Sequence, residues 1–242
     1  MTKPEAVQVG GIEVCAFASV DDCARHVVEL ARGGPWGVLT AVNAEKVILC
    51  RRSESVRREL ESAQVRYPDG VGVVAAMRVR GVRTARIPGA DLWLEVMRQS
   101  PKGTTIALLG ASQEVLAATA ARISREFPHV DVALTRDGYR GCDNVDTLGR
   151  ELQERRAAIV FIAMGSPRQE LMAKQLLALH ASAIYMGLGG SFDIFAGHKR
   201  RAPLWMQRAS LEWLYRLLRE PTRFLRQTNL VLFAWLLMTR RL

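Results

Sequence analysis

The chain of 242 residues lacks the cysteine patterns that mark metal sites. Its four cysteines lie far apart, and neither a CxxC pair nor a His/Cys ligand spacing is present. We therefore expect no zinc site. Scattered cysteines are typical of proteins in a reducing cytoplasm, although pairing among the four stays open.

Long apolar runs are also missing. A helix needs about 18 consecutive apolar residues to span a bilayer, and the nearest candidate, Leu230–Met238, is too short. The N-terminal residues lack the apolar run of a signal peptide. We therefore expect a cytoplasmic protein, either soluble or peripheral to a membrane.

Two common nucleotide-binding motifs are absent. The chain has no GKS or GKT of a Walker loop, and no GxGxxG followed by an acid about twenty residues later. These absences argue against NTP hydrolysis and dinucleotide binding, but a nucleotide held by other loops stays open. The four histidines have no acid, Ser or Cys partner at the spacing of a catalytic triad, so we interpret them as structural or exposed.

Acidic residues are scarce in the C-terminal segment. Residues 198–242 contain ten Lys or Arg but only two acids, Glu212 and Glu220, interleaved with Trp, Phe and Leu. We predict an α/β catalytic domain over residues 1–197 and a basic amphipathic helical appendage over residues 198–242. Such an appendage suits an anionic membrane surface. A solvated helix face and a nucleic-acid-binding arm are the alternatives, and the second is disfavoured because no nucleic-acid-binding motif occurs.

Apolar runs alternate with helical patterns through the middle of the chain. The predicted strands are 104–109, 130–135, 158–163 and 183–188, with helices over 113–125, 144–156 and 167–178. Continuous apolar runs separated by helices are typical of buried parallel strands. The sequence therefore predicts an α/β fold, with a Rossmann-like, mostly parallel sheet flanked by helices and a C-terminal helical appendage.

Polar and glycine-rich loops follow several predicted strands, where open α/β sheets bind ligands. Asp69 is either a turn residue that caps the next helix or a general base. Gln169, in the first turn of a helix, is either an exposed polar residue or a ligand contact. Asp193 follows the glycines Gly187, Gly189 and Gly190 and fits a turn residue, a brace of a phosphate-binding loop or a metal ligand.

Five short motifs and the tail resemble one family when taken in order. The motifs are Asn43-Ala44-Glu45-Lys46, Tyr67-Pro68-Asp69-Gly70, Arg86-Ile87-Pro88-Gly89-Ala90-Asp91, Gly165-Ser166-Pro167-Arg168-Gln169-Glu170 and the segment 187–197. The tail has the form Arg-Ala-Pro…Leu-Glu-Trp-Leu-Tyr-Arg-Leu-Leu-Arg-Glu-Pro. Over about residues 10–228 the chain resembles the WecG/TagA/CpsF glycosyltransferases.

The resemblance implies an inverting, metal-independent transfer of a sugar from a UDP-sugar to a polyprenyl-diphosphate-linked sugar. It implies no cofactor, no nucleic acid, and a place at the inner face of the plasma membrane. The oligomeric state stays open, and a homo-oligomer is one alternative. A non-catalytic module that binds a nucleotide sugar or nucleic acid through a basic arm is the alternative function.

The resemblance also implies roles for single residues. Asp69 is then the general base, and Asn43 and Gln169 contact the donor sugar or the acceptor. The loop of Gly187, Gly189 and Gly190 lies near the UDP. Further substrate-binding candidates are Arg86, Asp193, Arg216, Arg223 and Arg226, of which the last three are the tail arginines expected to meet the lipid diphosphate.

One position departs from the family pattern. Many members carry Thr two residues before the Asn, where this chain has Ala41. Thr40 is adjacent, but successive side chains of a strand point to opposite faces. A sugar contact made by that Thr is therefore not expected here, and the donor sugar can differ.

Overall fold

The computed structural model describes residues 3–209, 211–219 and 224–242. The strands are β1 (Ala6–Val9), β2 (Ile12–Cys15), β3 (Gly37–Val42), β4 (Val65–Pro68), β5 (Thr104–Gly110), β6 (Val130–Arg136), β7 (Ile159–Ala163) and β8 (Ile184–Gly187). The helices of the body are α1 (Val20–Gly33), α2 (Ala44–Arg52), α3 (Glu54–Glu61), α4 (Val71–Val79), α5 (Gly89–Gln99), α6 (Gln113–Glu126), α7 (Val145–Glu154), α8 (Arg168–Leu179) and α9 (Ser191–Phe195). Those of the tail are α10 (Leu204–Arg208), α11 (Glu212–Arg219) and α12 (Phe224–Met238).

Six strands form a parallel sheet in the order β4-β3-β8-β7-β5-β6, while β1 and β2 form a separate antiparallel hairpin. The connection from β5 leads outward to β6, whereas that from β7 leads back to β8. Neighbouring strands whose connections leave in opposite directions open a crevice at their carboxyl ends, and ligands of open α/β sheets bind there.

The strand side chains alternate between two cores, as the pleat requires. Ile106 and Leu108 of β5 face the core made with α1, α5 and α6, whereas Ala107 and Leu109 face the core made with α7 and α8. Layers of helices cover both faces of the sheet, so its strands read as uninterrupted apolar runs.

The last helix packs on the body. Phe233 and Leu236 of α12 are buried in a third core with residues of the hairpin, α2 and α4. Polar contacts add to this packing, because the Arg80 Nη2 donates to the Leu242 carbonyl at 2.7 Å. The apolar end of the chain therefore covers the outer face of α2 rather than extending into solvent.

The predicted α/β architecture is confirmed, and the boundaries shift by one or two residues. The N-caps of α1 and α6 are Ser19 and Ser112, whose hydroxyls accept from the amides of Asp22 and Val115. Within the described ranges, no helix combines the length and the apolar character that crossing a bilayer requires.

Candidate active site

The candidate residues converge at the carboxyl edge of the sheet. Val42 and Pro68 are paired in register on β3 and β4, so Asn43 and Asp69 are the next residues of adjacent strands. The Asp69 amide donates to the Val42 carbonyl at 2.8 Å. On the other side of β3, β8 ends at Gly187 and β7 ends shortly before Gln169. The strand order thus places four separate sequence motifs along one edge.

Asp69 lies where β4 turns into α4, and its side chain is about one-third exposed, at 31%. Gly70, with φ of +117°, occupies the N-cap position of α4. A side chain is strained at such a φ, so a glycine suits this turn. Asp69 lies close enough to Tyr67 that its charge, after burial, contributes to raising the pKa of the Tyr67 hydroxyl well above its usual value. The carboxylate is therefore held at the rim of the site, above a neutral buried phenol.

Arg86 is a cation beside Asp69. Its Nε lies 3.8 Å from the Asp69 Oδ1, and its Nη2 donates to the Glu212 Oε2 of α11. The Ile87 amide donates to the Pro68 carbonyl at 2.8 Å, which fixes the Arg86 segment against the end of β4. A guanidinium in this place bridges the candidate base and the tail.

Asn43 serves first as a helix cap. Its Oδ1 accepts from the Lys46 amide at 2.9 Å, satisfying a donor at the start of α2. The ideal Cβ of Gly70 would lie 3.9 Å from the Asn43 Cβ, so the cap adjoins the Asp69 turn. The cap fixes the Asn43 side chain next to the candidate base.

Gln169 is buried, only 7% exposed, so its interpretation as an exposed polar residue is wrong. Its Oε1 accepts from the Gly189 amide at 2.9 Å, and its Nε2 donates to the Glu170 Oε1 at 3.3 Å. The Lys46 Nζ donates to the same Glu170 oxygen at 3.0 Å. These bonds join the starts of α2 and α8 to the glycine loop after β8. The burial follows from the position of Gln169 between two loops of one edge, which helical periodicity does not reveal.

Gly187 lies against Gln169. A Cβ at residue 187 would lie 2.6 Å from the Gln169 Nε2, which is closer than packed atoms tolerate. Gly189 has a φ of +56°. Asp193 lies in the first turn of α9, and its Oδ1 is 3.9 Å from the Lys199 Nζ. The loop that the sequence indicates as a phosphate-binding candidate is therefore shaped by glycines and fastened by Gln169.

Replacement of Gly187 by Ala is expected to displace Gln169 and release the Gly189 loop. Overpacking of this kind costs about 1–3 kcal/mol of the free energy of unfolding, measured by denaturant titration. Gly33→Ala is the matched control, since a Cβ there meets nothing within 4 Å, and it should be neutral or slightly stabilising. Equal effects of the two substitutions would contradict the packing argument.

A second group of glycines lies at the crevice between β5 and β7. A Cβ at Gly110 would lie 2.4 Å from the Ala163 carbonyl oxygen, so the two strand ends approach closely. The Gly138 amide donates to the Ala111 carbonyl at 2.9 Å, and the Arg168 Nη2 donates to the Gly138 carbonyl at 3.1 Å. The turn at Asp137, which the sequence interpretation missed, therefore lies beside this crevice. Its Asp-Gly dipeptide after a strand was the available signal.

The Asp137 side chain stabilises that turn through hydrogen bonds to the backbone. Its carboxylate accepts from the amides of Tyr139, Arg140 and Gly141. These bonds, with that from Arg140 first, lower the pKa of Asp137. Tyr139 is left 73% exposed at the rim of the crevice. The arrangement offers a flat aromatic ring beside glycine loops.

The tail arginines are only partly described. The backbones of Arg216 and Arg226 lie in α11 and α12, their side chains lie outside the described part of the chain, and Arg223 lies outside the described residues altogether. Position 216 is one helical turn beyond Glu212, which contacts Arg86.

The site combines a carboxylate at the rim, an arginine beside it and glycine loops at the crevice between β5 and β7. The model of the glycosyl transferase WecG/TagA/CpsF family matches residues 7–242. The chain belongs to the WecG/TagA/CpsF family. It is therefore a glycosyltransferase, and membership supports a role in the synthesis of cell-envelope polysaccharides.

Membership of a glycosyltransferase family implies that the protein uses a sugar donor and an acceptor. Among residues 3–209, 211–219 and 224–242, no three His, Cys, Asp or Glu side chains are grouped as metal ligands would be. Described cations near this edge include Lys46, Arg86 and Arg168, and each has a bond to a carboxylate or carbonyl. They add positive charge at the carboxyl edge of the sheet.

Proposed function

We propose that the chain transfers a sugar from a UDP-sugar to a polyprenyl-diphosphate-linked sugar during exopolysaccharide or cell-envelope glycan synthesis. The donor sugar is of the N-acetylmannosamine, glucose or glucuronate type. The transfer is inverting and needs no metal. The observation that carries this proposal is Asp69, a carboxylate at the rim of the sheet edge beside Arg86, in a chain of a glycosyltransferase family.

The reaction needs a base at the acceptor hydroxyl. A sugar hydroxyl is a poor nucleophile near neutral pH, so a carboxylate within hydrogen-bond reach accelerates its attack. Asp69 takes the proton while the acceptor oxygen bonds to the anomeric carbon and the bond from that carbon to the UDP oxygen breaks. A single displacement of this kind inverts the anomeric centre. The partial exposure of Asp69 supports this role, because an acceptor must reach it.

The departing UDP carries negative charge that must be stabilised. Backbone amides in glycine loops and arginine side chains can do so without a metal. The loops around Gly110, Gly138 and Gly189 are the proposed places for this UDP, and other amides of these loops would bind it, since the Gly138 and Gly189 amides already donate to Ala111 and Gln169. Arg216, Arg223 and Arg226 of the basic appendage are the proposed contacts to the diphosphate of the acceptor.

The tail also supports a place at the inner face of the plasma membrane. Apolar side chains remain exposed along it at Leu204, Trp205, Trp213, Leu218, Val231, Trp235 and Met238. Arginines are interleaved with them, and aromatic and aliphatic side chains beside cations are typical of helices that lie in a membrane interface. We therefore propose that residues 198–242 form a docking appendage on the catalytic part of the chain.

The double variant Trp205→Ser/Val231→Ser is expected to bind anionic vesicles about tenfold or more weakly, because each lost apolar contact is worth about 1.5–3 kcal/mol when fully buried. Flotation with phosphatidylglycerol vesicles measures this. Leu171→Ser, an exposed apolar residue on α8, is the matched control and should bind as the unsubstituted chain does. Unchanged binding of the double variant, or tighter binding of an oligonucleotide at matched salt, would contradict membrane docking.

The catalytic proposal is tested by UDP release. The unsubstituted chain is incubated with a panel of UDP-sugars and a polyprenyl-diphosphate-linked sugar. Release that depends on both one donor and the lipid acceptor is the expected result. UDP binding without turnover for every donor would instead favour a nucleotide-sugar-binding module.

A further inference from the structure

A chain of alternating charges runs from the candidate base into the tail. The Asp69 Oδ1 lies 3.8 Å from the Arg86 Nε, and Arg86 donates through Nη2 to the Glu212 Oε2. The other oxygen of Glu212 accepts from the Arg201 Nε at 3.0 Å. Arg201 also donates a hydrogen bond from each of its two terminal nitrogens to the two carboxylate oxygens of Asp91, in the first turn of α5. Arg86 and Glu212 are 126 residues apart in the sequence, so this contact joins the body to the tail.

Glu212 is the central member of this chain of charges. Its side chain is 9% exposed, and one guanidinium occupies each of its carboxylate oxygens. Burial acts to raise the pKa of Glu212, but the bonds from Arg86 and Arg201 outweigh it, so the pKa lies below its usual value. The carboxylate is therefore charged at neutral pH and its position is fixed from two sides.

Arg86 donates a hydrogen bond to Glu212, whereas its contact with Asp69 is a longer ion pair. The Arg86 Nε is buried and makes no hydrogen bond, although Asp69 lies 3.8 Å away. Without the Glu212 carboxylate, the guanidinium would be drawn to the nearest acid, and arginine pairs with carboxylates through two parallel bonds. Such a pair would engage both oxygens of the carboxylate that must receive the proton of the acceptor hydroxyl.

We propose that Glu212 is a positioning residue for the transfer reaction. It restrains the Arg86 guanidinium in its position beside Asp69, and through Arg201 and Asp91 it links this restraint to α5. Docking of the tail thereby sets the geometry of the catalytic carboxylate. This inference rests on the proposed function, in which Asp69 is the base.

The experiment is a double-mutant cycle with Glu212→Gln and Arg86→Gln, measured as kcat and as KM for the donor. Glu212→Gln keeps the size of the side chain and removes its charge. We expect kcat to fall by about tenfold or more while KM for the donor changes by less than about twofold, the split of a residue that acts on the chemical step. The double variant should be no slower than Arg86→Gln alone, because Glu212 acts through Arg86.

Two further variants complete the design. Glu212→Asp retains the charge and should recover part of the lost kcat, which a fold defect alone would not produce. Glu126→Gln removes the ion pair of Glu126 with Arg122 on α6 and should leave kcat unchanged. Circular dichroism verifies that each variant is folded. If Glu212→Gln is unfolded, the kcat of Glu212→Asp is compared with that of Arg86→Gln to test the positioning role.

The outcomes separate this inference from the proposed function. Full activity of Glu212→Gln, or rate losses that multiply in the double variant, would overturn the positioning role. If Asp69→Asn also transfers sugar at the normal rate, the assignment of the base itself has failed. If Asp69→Asn is inactive while Glu212→Gln is fully active, only the positioning role has failed.

Discussion

Replacement of Asp69 by Asn is expected to reduce sugar transfer by about 10²–10⁴-fold, the usual contribution of a positioned general base. Asn matches the size of Asp but cannot accept the proton of the acceptor hydroxyl. Because the Asp69 side chain is 31% exposed and Gly70 occupies the N-cap of α4, the fold should survive the substitution. Initial rates with saturating donor and acceptor measure the effect, and thermal unfolding verifies the fold.

The matched control for this substitution is Asp131→Asn, at an exposed position near the start of β6. It makes the same chemical change at the opposite edge of the sheet and should leave the transfer rate unchanged. Equal rates for Asp69→Asn and the control would remove Asp69 from the mechanism. A loss of activity together with a large loss of stability would instead return Asp69 to the role of a turn residue.

The second large effect is expected at Lys46. The Lys46 Nζ donates to the Glu170 Oε1 at 3.0 Å, and the two side chains are 16% and 6% exposed. The Glu170 Oε2 is also buried and makes no hydrogen bond. Lys46→Met removes the cation and leaves a buried carboxylate uncompensated, which costs about 3–5 kcal/mol of the free energy of unfolding. Denaturant titration measures this loss.

Two controls separate charge from packing in the Lys46 experiment. The double variant Lys46→Met/Glu170→Leu removes both charges, and replacement of a buried pair by apolar residues is often neutral, so it should recover most of the lost stability. Arg25→Met breaks the exposed pair with Asp21 and should cost at most about 1 kcal/mol. A double variant as unstable as Lys46→Met would assign the loss to packing rather than to the unpaired charge.

Most of the fold follows from local signals in the sequence. The strands of the sheet are buried on both faces, so each appears as an uninterrupted apolar run, and residues such as Ser19, Asn43 and Ser112 cap the helices that follow. The helix α3 was not predicted. Ser53 is both the C-cap of α2 and the N-cap of α3, so no loop separates the two helices and the sequence shows no boundary between them.

The site was predictable only in part. The loops after β3, β4, β7 and β8 carry recognisable motifs, and the parallel sheet brings their ends to one edge. The contacts of Arg201 with Asp91 and of Arg86 with Glu212 were not predictable, because they join residues 110 and 126 positions apart and involve residues that look like solvated charges. The burial of Gln169 escaped prediction because it depends on a contact with the Gly189 loop, 20 residues further along the chain.

The fate of the acceptor lipid tests the proposed transfer most directly. The chain, a UDP-sugar and a polyprenyl-diphosphate-linked sugar are incubated in excess EDTA, and the lipid is analysed by mass spectrometry while UDP is quantified. We expect the lipid to gain the mass of one sugar residue, with one UDP released per product and no product from Asp69→Asn. A lipid of unchanged mass with every UDP-sugar, or product that disappears in EDTA, would contradict the proposed metal-independent transfer.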